Sequence, residues 1–103
     1  MKWYIGYPET NQVLVHNEDR HYPLNPCFEY VNHSPDGFSW GYNGSGPAQL
    51  AFAICMDVLQ DEDEVFKMYQ NFKAGVISRY SQTGTFKISE ESVRKYIQEL
   101  KNE

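Results

Sequence analysis

The run GYNGSGP at residues 41–47 has the composition of an anion-binding turn. Glycines at 41, 44 and 46 free the backbone to take positive φ. Pro47 suits the first position of a helix, with Ser45 or Gly46 as its N-cap. A helix start turns unpaired amides and the positive end of the dipole towards an anion. A phosphate or carboxylate there would meet Ser45 and the amides of residues 46–49. Phe38, Trp40 and Tyr42 alternate, so on a strand they share one face, which could stack a base or sugar. The candidate ligand-facing residues are therefore Trp40, Tyr42, Gly44, Ser45, Gly46 and Gln49. The competing reading is structural: a tight turn whose glycines let it pack on Trp40, with the aromatic stripe in the core. No lysine follows the glycines, and their spacing fits neither a Walker A loop nor GxGxxG.

Other reactive side chains form no site in the sequence. His16, His21 and His33 match no zinc spacing, and Cys27 and Cys55 add none. Adjacency of His33, Ser34 and Asp36 in a turn does not make a triad, which places a base between nucleophile and acid in space. Hydrogen bonds from His33 and Asp36 to the turn backbone explain them better. The run DEDE at 61–64 lacks the spacing of a calcium loop and suits the positive end of a helix. No catalytic residue, metal ligand or cofactor is assigned.

Net charge is −5, and it is unevenly spread. Between His21 and Phe66 there is no Lys or Arg, against seven acids: Glu29, Asp36, Asp57, Asp61, Glu62, Asp63 and Glu64. From Lys67 onward there are seven bases and four acids. Direct binding of nucleic acid is disfavoured, because it needs clustered cations. No apolar run reaches the roughly 20 residues that span a bilayer, and the N-terminus lacks a signal-peptide pattern. Two cysteines make no disulfide framework, and Cys55 sits in the apolar run LAFAICM, so a cytoplasmic protein with free thiols is expected.

These side chains need a scaffold, and 103 residues suit a single domain. Residues 1–31 read as a hairpin region, and 32–103 as the glycine-rich turn followed by helices. KWYIGY, VLVHN and FEYVN carry strand formers separated by turn residues, and SWGY reads as a last short strand. A nearly all-apolar helix follows, to about Leu59. Asp61 caps a second helix whose stripe is Val65, Tyr69, Phe72, Val76 and Tyr80. TFKI is a strand or an extended lead-in, and Ser89 caps a third helix with Val93, Tyr96, Ile97 and Leu100 inward. The expected fold is α+β: a small antiparallel N-terminal sheet of three to four strands packed by about three helices.

The run NHSPDGFSWGYNGSGPAQLAFAI, an acidic connection and then YQNFKAGVI resemble a small uncharacterised family of bacterial, plasmid and phage proteins. Its core reads NHSPxGFxWGYxGSGPAQLALAI, and it is known as domain of unknown function 6166. The likeness covers roughly residues 28–80. It implies a shared architecture and an association with mobile elements, and it assigns no activity, cofactor or catalytic residue.

The leading expectation is a non-enzymatic accessory binding protein for a protein partner or a small anionic ligand. The second is an acidic inhibitor that mimics nucleic acid, for which the seven acids must converge on one face. The third is a small enzyme on a phosphorylated substrate, which needs His33 and Asp36 to meet near the glycine turn. The fourth is DNA binding through Arg94, Lys95 and Lys101 together with Lys67 or Arg79.

Overall fold

A computed structural model of the chain describes residues 1–102. Its elements run β1 (Lys2–Tyr7), β2 (Gln12–Asn17), β3 (Arg20–Pro23), α1 (Ser45–Leu59), α2 (Glu62–Gly75), β4 (Phe86–Ser89) and α3 (Glu90–Lys101), with a 3-10 turn at Ile77–Arg79. The sheet is antiparallel throughout, in the order β3-β2-β1-β4. The fold is α+β as expected.

Two expected strands are absent, and each has a local cause. FEYVN is a turn, because Cys27 takes a left-handed φ of 62° and its carbonyl accepts from the amides of Tyr30 and Val31. Asn25 Oδ1 accepts from the Cys27 amide at 3.0 Å and starts that turn. SWGY is not a strand either, because the Gly41 amide donates to Ile77 O of the 3-10 turn. The strand beside β1 is instead TFKI, Phe86–Ser89 by its bounds, which returns from the far end of the chain.

Alternation along β1 and β2 sends Tyr4, Gly6, Val13 and Val15 inward. α1 packs in the middle of the core, with every residue from Gly46 to Cys55 buried. It begins two residues earlier than the sequence suggests. Gly44 is the N-cap, without a side-chain bond, and Pro47 sits at the third helical position. α2 opens on Asp61, whose side chain accepts from the Glu64 amide, and buries Val65, Met68, Tyr69 and Phe72. Its helix stops at Gly75, so Val76 and Tyr80 reach the core from the segment beyond it. α3 opens on Ser89, which accepts from the Ser92 amide at 3.0 Å.

One polar contact ties sheet to helix. Asp57 Oδ2 of α1 accepts from Tyr4 OH at 2.5 Å and pairs with Lys2 Nζ at 2.7 Å. Burial, and then Asp57, pushes the Tyr4 phenol far above its ordinary 10.0. Burial works against the Lys2 charge, but Asp57 outweighs it and leaves the ammonium above 10.5. In the fold both groups keep protons that the unfolded chain releases, so their stabilisation is complete below pH 10 and is lost as pH rises beyond it. The urea midpoint is therefore expected to begin falling near pH 9, where the buried Cys27 and Cys55 thiols ionise in the unfolded chain, and to fall more steeply above pH 10 as Tyr4 and Lys2 contribute. Tyr4→Phe should flatten that fall, and a midpoint that declines equally in both proteins would contradict this account.

Candidate functional site

The three glycines of the glycine-rich turn each stand where a side chain would meet a neighbour. A β-carbon on Gly46 would stand 1.8 Å from Ser39 Oγ, and one on Gly44 would stand 2.6 Å from the Tyr42 ring. The neighbours are Ser39, Tyr42 and the 80–82 backbone rather than Trp40 alone. Ser39 Oγ and Tyr42 OH are 2.8 Å apart beside the helix start.

The six candidate residues separate. Trp40 is 2 % exposed, packs edge-on against Phe86 and donates from Nε1 to Gly84 O at 3.0 Å. Tyr42 is 42 % exposed, so the alternating aromatics do not share a face. Gly44, Ser45 and Gly46 form the first turn with Tyr42 beside it. The amides of Ser45 and Gly46 have no partner among the described residues. Pro47 has none to offer, and the Ala48 amide is spent on Gly44 O at 3.0 Å. The unpaired amides at the helix start are thus two, at exposed Ser45 and buried Gly46, a narrower set than residues 46–49.

Gln49 is fully buried and faces the loop before the turn. Its Oε1 accepts from the amides of His33 at 2.9 Å and Ser34 at 3.3 Å. Its Nε2 donates to Pro26 O at 2.6 Å and Val31 O at 3.0 Å. One side chain from the middle helix therefore pins the loop over residues 26–34.

His33 turns its ring to Tyr69, with Nε2 2.8 Å from the hydroxyl, and makes no hydrogen bond to Asp36 among the described residues. Among those residues no group of three His, Cys, Asp or Glu side chains could hold a metal. Both thiols are buried, and burial followed by Glu29 and Asp57 pushes Cys27 up to about 11, away from nucleophilic use at neutral pH. The late cations are partly engaged: Arg94 with Glu90 and Val58 O, and Lys67 and Lys101 with Glu64.

The feature that sequence reasoning missed lies beside α1, on the loop and the start of α2. Tyr30 and Phe66 flank buried Phe52, with ring centroids 5.8 and 5.1 Å away, and are themselves 38 % and 48 % exposed. Phe28, in the same turn as Tyr30, is 40 % exposed. A cleft of about 210 Å³ opens beside Tyr30, lined also by Leu24, Cys27, Glu29, Met56 and Asp57. Glu29, Glu62 and Asp63 are exposed and unpaired among the described residues. The signal was legible in part, because Phe66 lies off the α2 stripe and beside the acidic run.

Among the described residues no helix is long and apolar enough to cross a membrane. No curated protein and no solved structure matches the chain. Residues 4–99 match the model of a family of unknown function, DUF6166, well beyond the 28–80 core, and the chain belongs to that family.

Proposed function

We propose that the chain is a non-enzymatic accessory protein that docks a basic segment of a partner protein. The observation that carries this reading is the exposed pair Tyr30 and Phe66 on Phe52, bordered by the unpaired acids Glu29, Glu62 and Asp63. Exposed aromatics supply contact area at little entropic cost, and an unpaired acidic rim selects and steers a cationic partner. The mobile-element setting that the sequence resemblance implies suits an accessory role. An inhibitor of a nucleic-acid-handling protein would use the same surface against that protein's basic groove. It would do so with Glu29, Glu62 and Asp63 rather than with seven acids, since Asp57 is taken by Lys2, Glu64 by two lysines and Asp61 by the cap of α2.

An array of peptides varied in Lys and Arg content tests the proposal. Basic peptides carrying an apolar side chain should bind, more weakly as salt rises. Phe66→Ala should weaken them about 10-fold, the effect of losing roughly 1.4 kcal/mol at an aromatic anchor. Binding that ignores peptide charge, or that Phe66→Ala leaves unchanged, would sink the proposal.

The second reading is a small anion at the turn, contacted by Tyr42, Ser45 and the free amides of Ser45 and Gly46, with Trp40, Gly44 and Gln49 as its frame. Calorimetry with phosphate and nucleotides decides it, since absence of heat with all of them removes this version.

A further inference from the structure

The outer face of the sheet differs from the rest of the surface. Strand alternation points Trp3, Ile5, Tyr7, Leu14, His16 and Lys87 away from the core. Across the strands they stand in rows: His16 opposite both Trp3 and His21, and Ile5 opposite both Leu14 and Lys87. The side chains meet one another. Lys87 Nζ lies 4.5 Å from the Trp3 ring centroid, the His16 and His21 rings are 4.2 Å apart, and Tyr7 OH is 3.3 Å from His16 Nε2. Trp3, Ile5, Tyr7 and Leu14 are half-buried by such contacts, yet none belongs to the hydrophobic core or packs against it. α1 lies on the opposite side, where Asp57 meets Tyr4.

No carboxylate stands in these rows, although the chain has 14 acids against 9 bases. We infer that this face is where two copies of the chain meet, sheet against sheet. Two molecules of net charge −5 repel, and an acid-free face is where they can approach without opposing carboxylates. With its histidines neutral, the face carries one formal charge, Lys87, on the edge strand β4. Aligned sheets about 10 Å apart let such rows interdigitate, and a two-fold axis makes the same patch serve both partners. A nucleic acid would find a single lysine here, set on an acidic molecule, which is too little to neutralise its phosphates. Four strands about 4.8 Å apart make a small interface, so the dimer is weak, on the order of micromolar.

The dimer is also acid-labile. The groups facing His16 are the Tyr7 hydroxyl on β1, His21 on β3 and Lys87 on β4, none of them anionic near neutrality. Burial, His21 and Lys87 lower the His16 pKa, so its neutral form persists at neutral pH. At lower pH the His16 of each copy gains a positive charge, set against the same face of its partner.

Sedimentation of the whole chain over a dilution series, at pH 7.5 and 5.5, tests both statements. The wild type should approach twice its 12.0 kDa at pH 7.5 and return to monomer at pH 5.5. Leu14→Glu should raise the dimer Kd at least about 30-fold at pH 7.5 while keeping the wild-type circular dichroism, with Ile5→Glu as a second variant should the first unfold. Tyr30→Ala should dimerise normally. The double variant His16→Gln, His21→Gln should remain dimeric at pH 5.5. A monomer at every concentration, or a dimer that survives both acidic substitutions, overturns the interface. A double variant that still dissociates in acid overturns the histidine switch. A single-stranded oligonucleotide bound by the wild type and lost in Leu14→Glu assigns the face to nucleic acid instead.

Discussion

Replacing Gln49 by leucine lowers the stability of the protein by about 3–5 kcal/mol, the upper range of single substitutions. The side chain is 0 % exposed, so nothing in solvent substitutes for it while the fold persists. Its amide satisfies two backbone N–H groups and two backbone carbonyls, at Pro26, Val31, His33 and Ser34. Leucine preserves volume and apolar contact but leaves all four groups without their partner. A buried unsatisfied group costs about 1–3 kcal/mol. The total stays below four times that figure because residues 26–34 can lift away and regain water. For a domain whose whole stability is about 5–15 kcal/mol, this is a large fraction. Urea unfolding should show the midpoint shift, and hydrogen exchange should show the His33 and Ser34 amides losing protection before the strands do. Gln49→Glu should also destabilise, because a carboxylate keeps the acceptor for those two amides but turns an oxygen towards the Pro26 and Val31 carbonyls. If leucine at 49 costs under about 1 kcal/mol, the loop is held by something other than this amide.

That result also bears on how far the sequence could be read. The helices were legible because their signals are local. Asp61 and Ser89 cap where their side chains suggest, and the α2 and α3 stripes face inward. Gln49 was legible as the one polar residue in an apolar run, but its partners lie 15 to 23 residues earlier, where no local pattern points. Its place at a helix start suggests a ligand contact, and its side-chain amide bonds four backbone groups inside the protein. The missing strand at FEYVN has a similar origin. Its residues have strand propensity, and the Asn25-initiated turn with Cys27 in a left-handed conformation overrides it. β4 was legible only as an extended segment, because its place beside β1 depends on pairing across about 80 residues. The Tyr30 and Phe66 surface needed three dimensions for the same reason, since Phe52 lies between them in the sequence as well as in space.

Gly41→Ala is expected to cost about 3 kcal/mol or more, and the reason separates two roles for the glycine-rich turn. Gly41 has φ of 87°, a conformation that costs an L-residue about 1–2 kcal/mol by itself. Its β-carbon would also stand 2.5 Å from Gln82 Cα and N and 2.8 Å from Tyr80 O. These are backbone atoms, so no rotamer change relieves the contact and the 80–82 segment must move. That movement pulls on the Gly41 amide bond to Ile77 O at 3.1 Å and on the Trp40 Nε1 bond to Gly84 O at 3.0 Å. Gly37→Ala is the control. Its φ of 113° is also unfavourable to a side chain, but a β-carbon there meets nothing within 4 Å. The difference between the two unfolding free energies thus isolates the close approach from the backbone conformation. A turn built to seat Trp40 and α1 predicts that Gly41→Ala loses much more stability than Gly37→Ala. It also predicts that the folded fraction of Gly41→Ala binds the basic peptides as the wild type does, because Tyr30 and Phe66 lie on other segments. Equal costs at the two glycines would instead remove the packing role from Gly41 and return the turn to the list of surfaces free to serve a ligand.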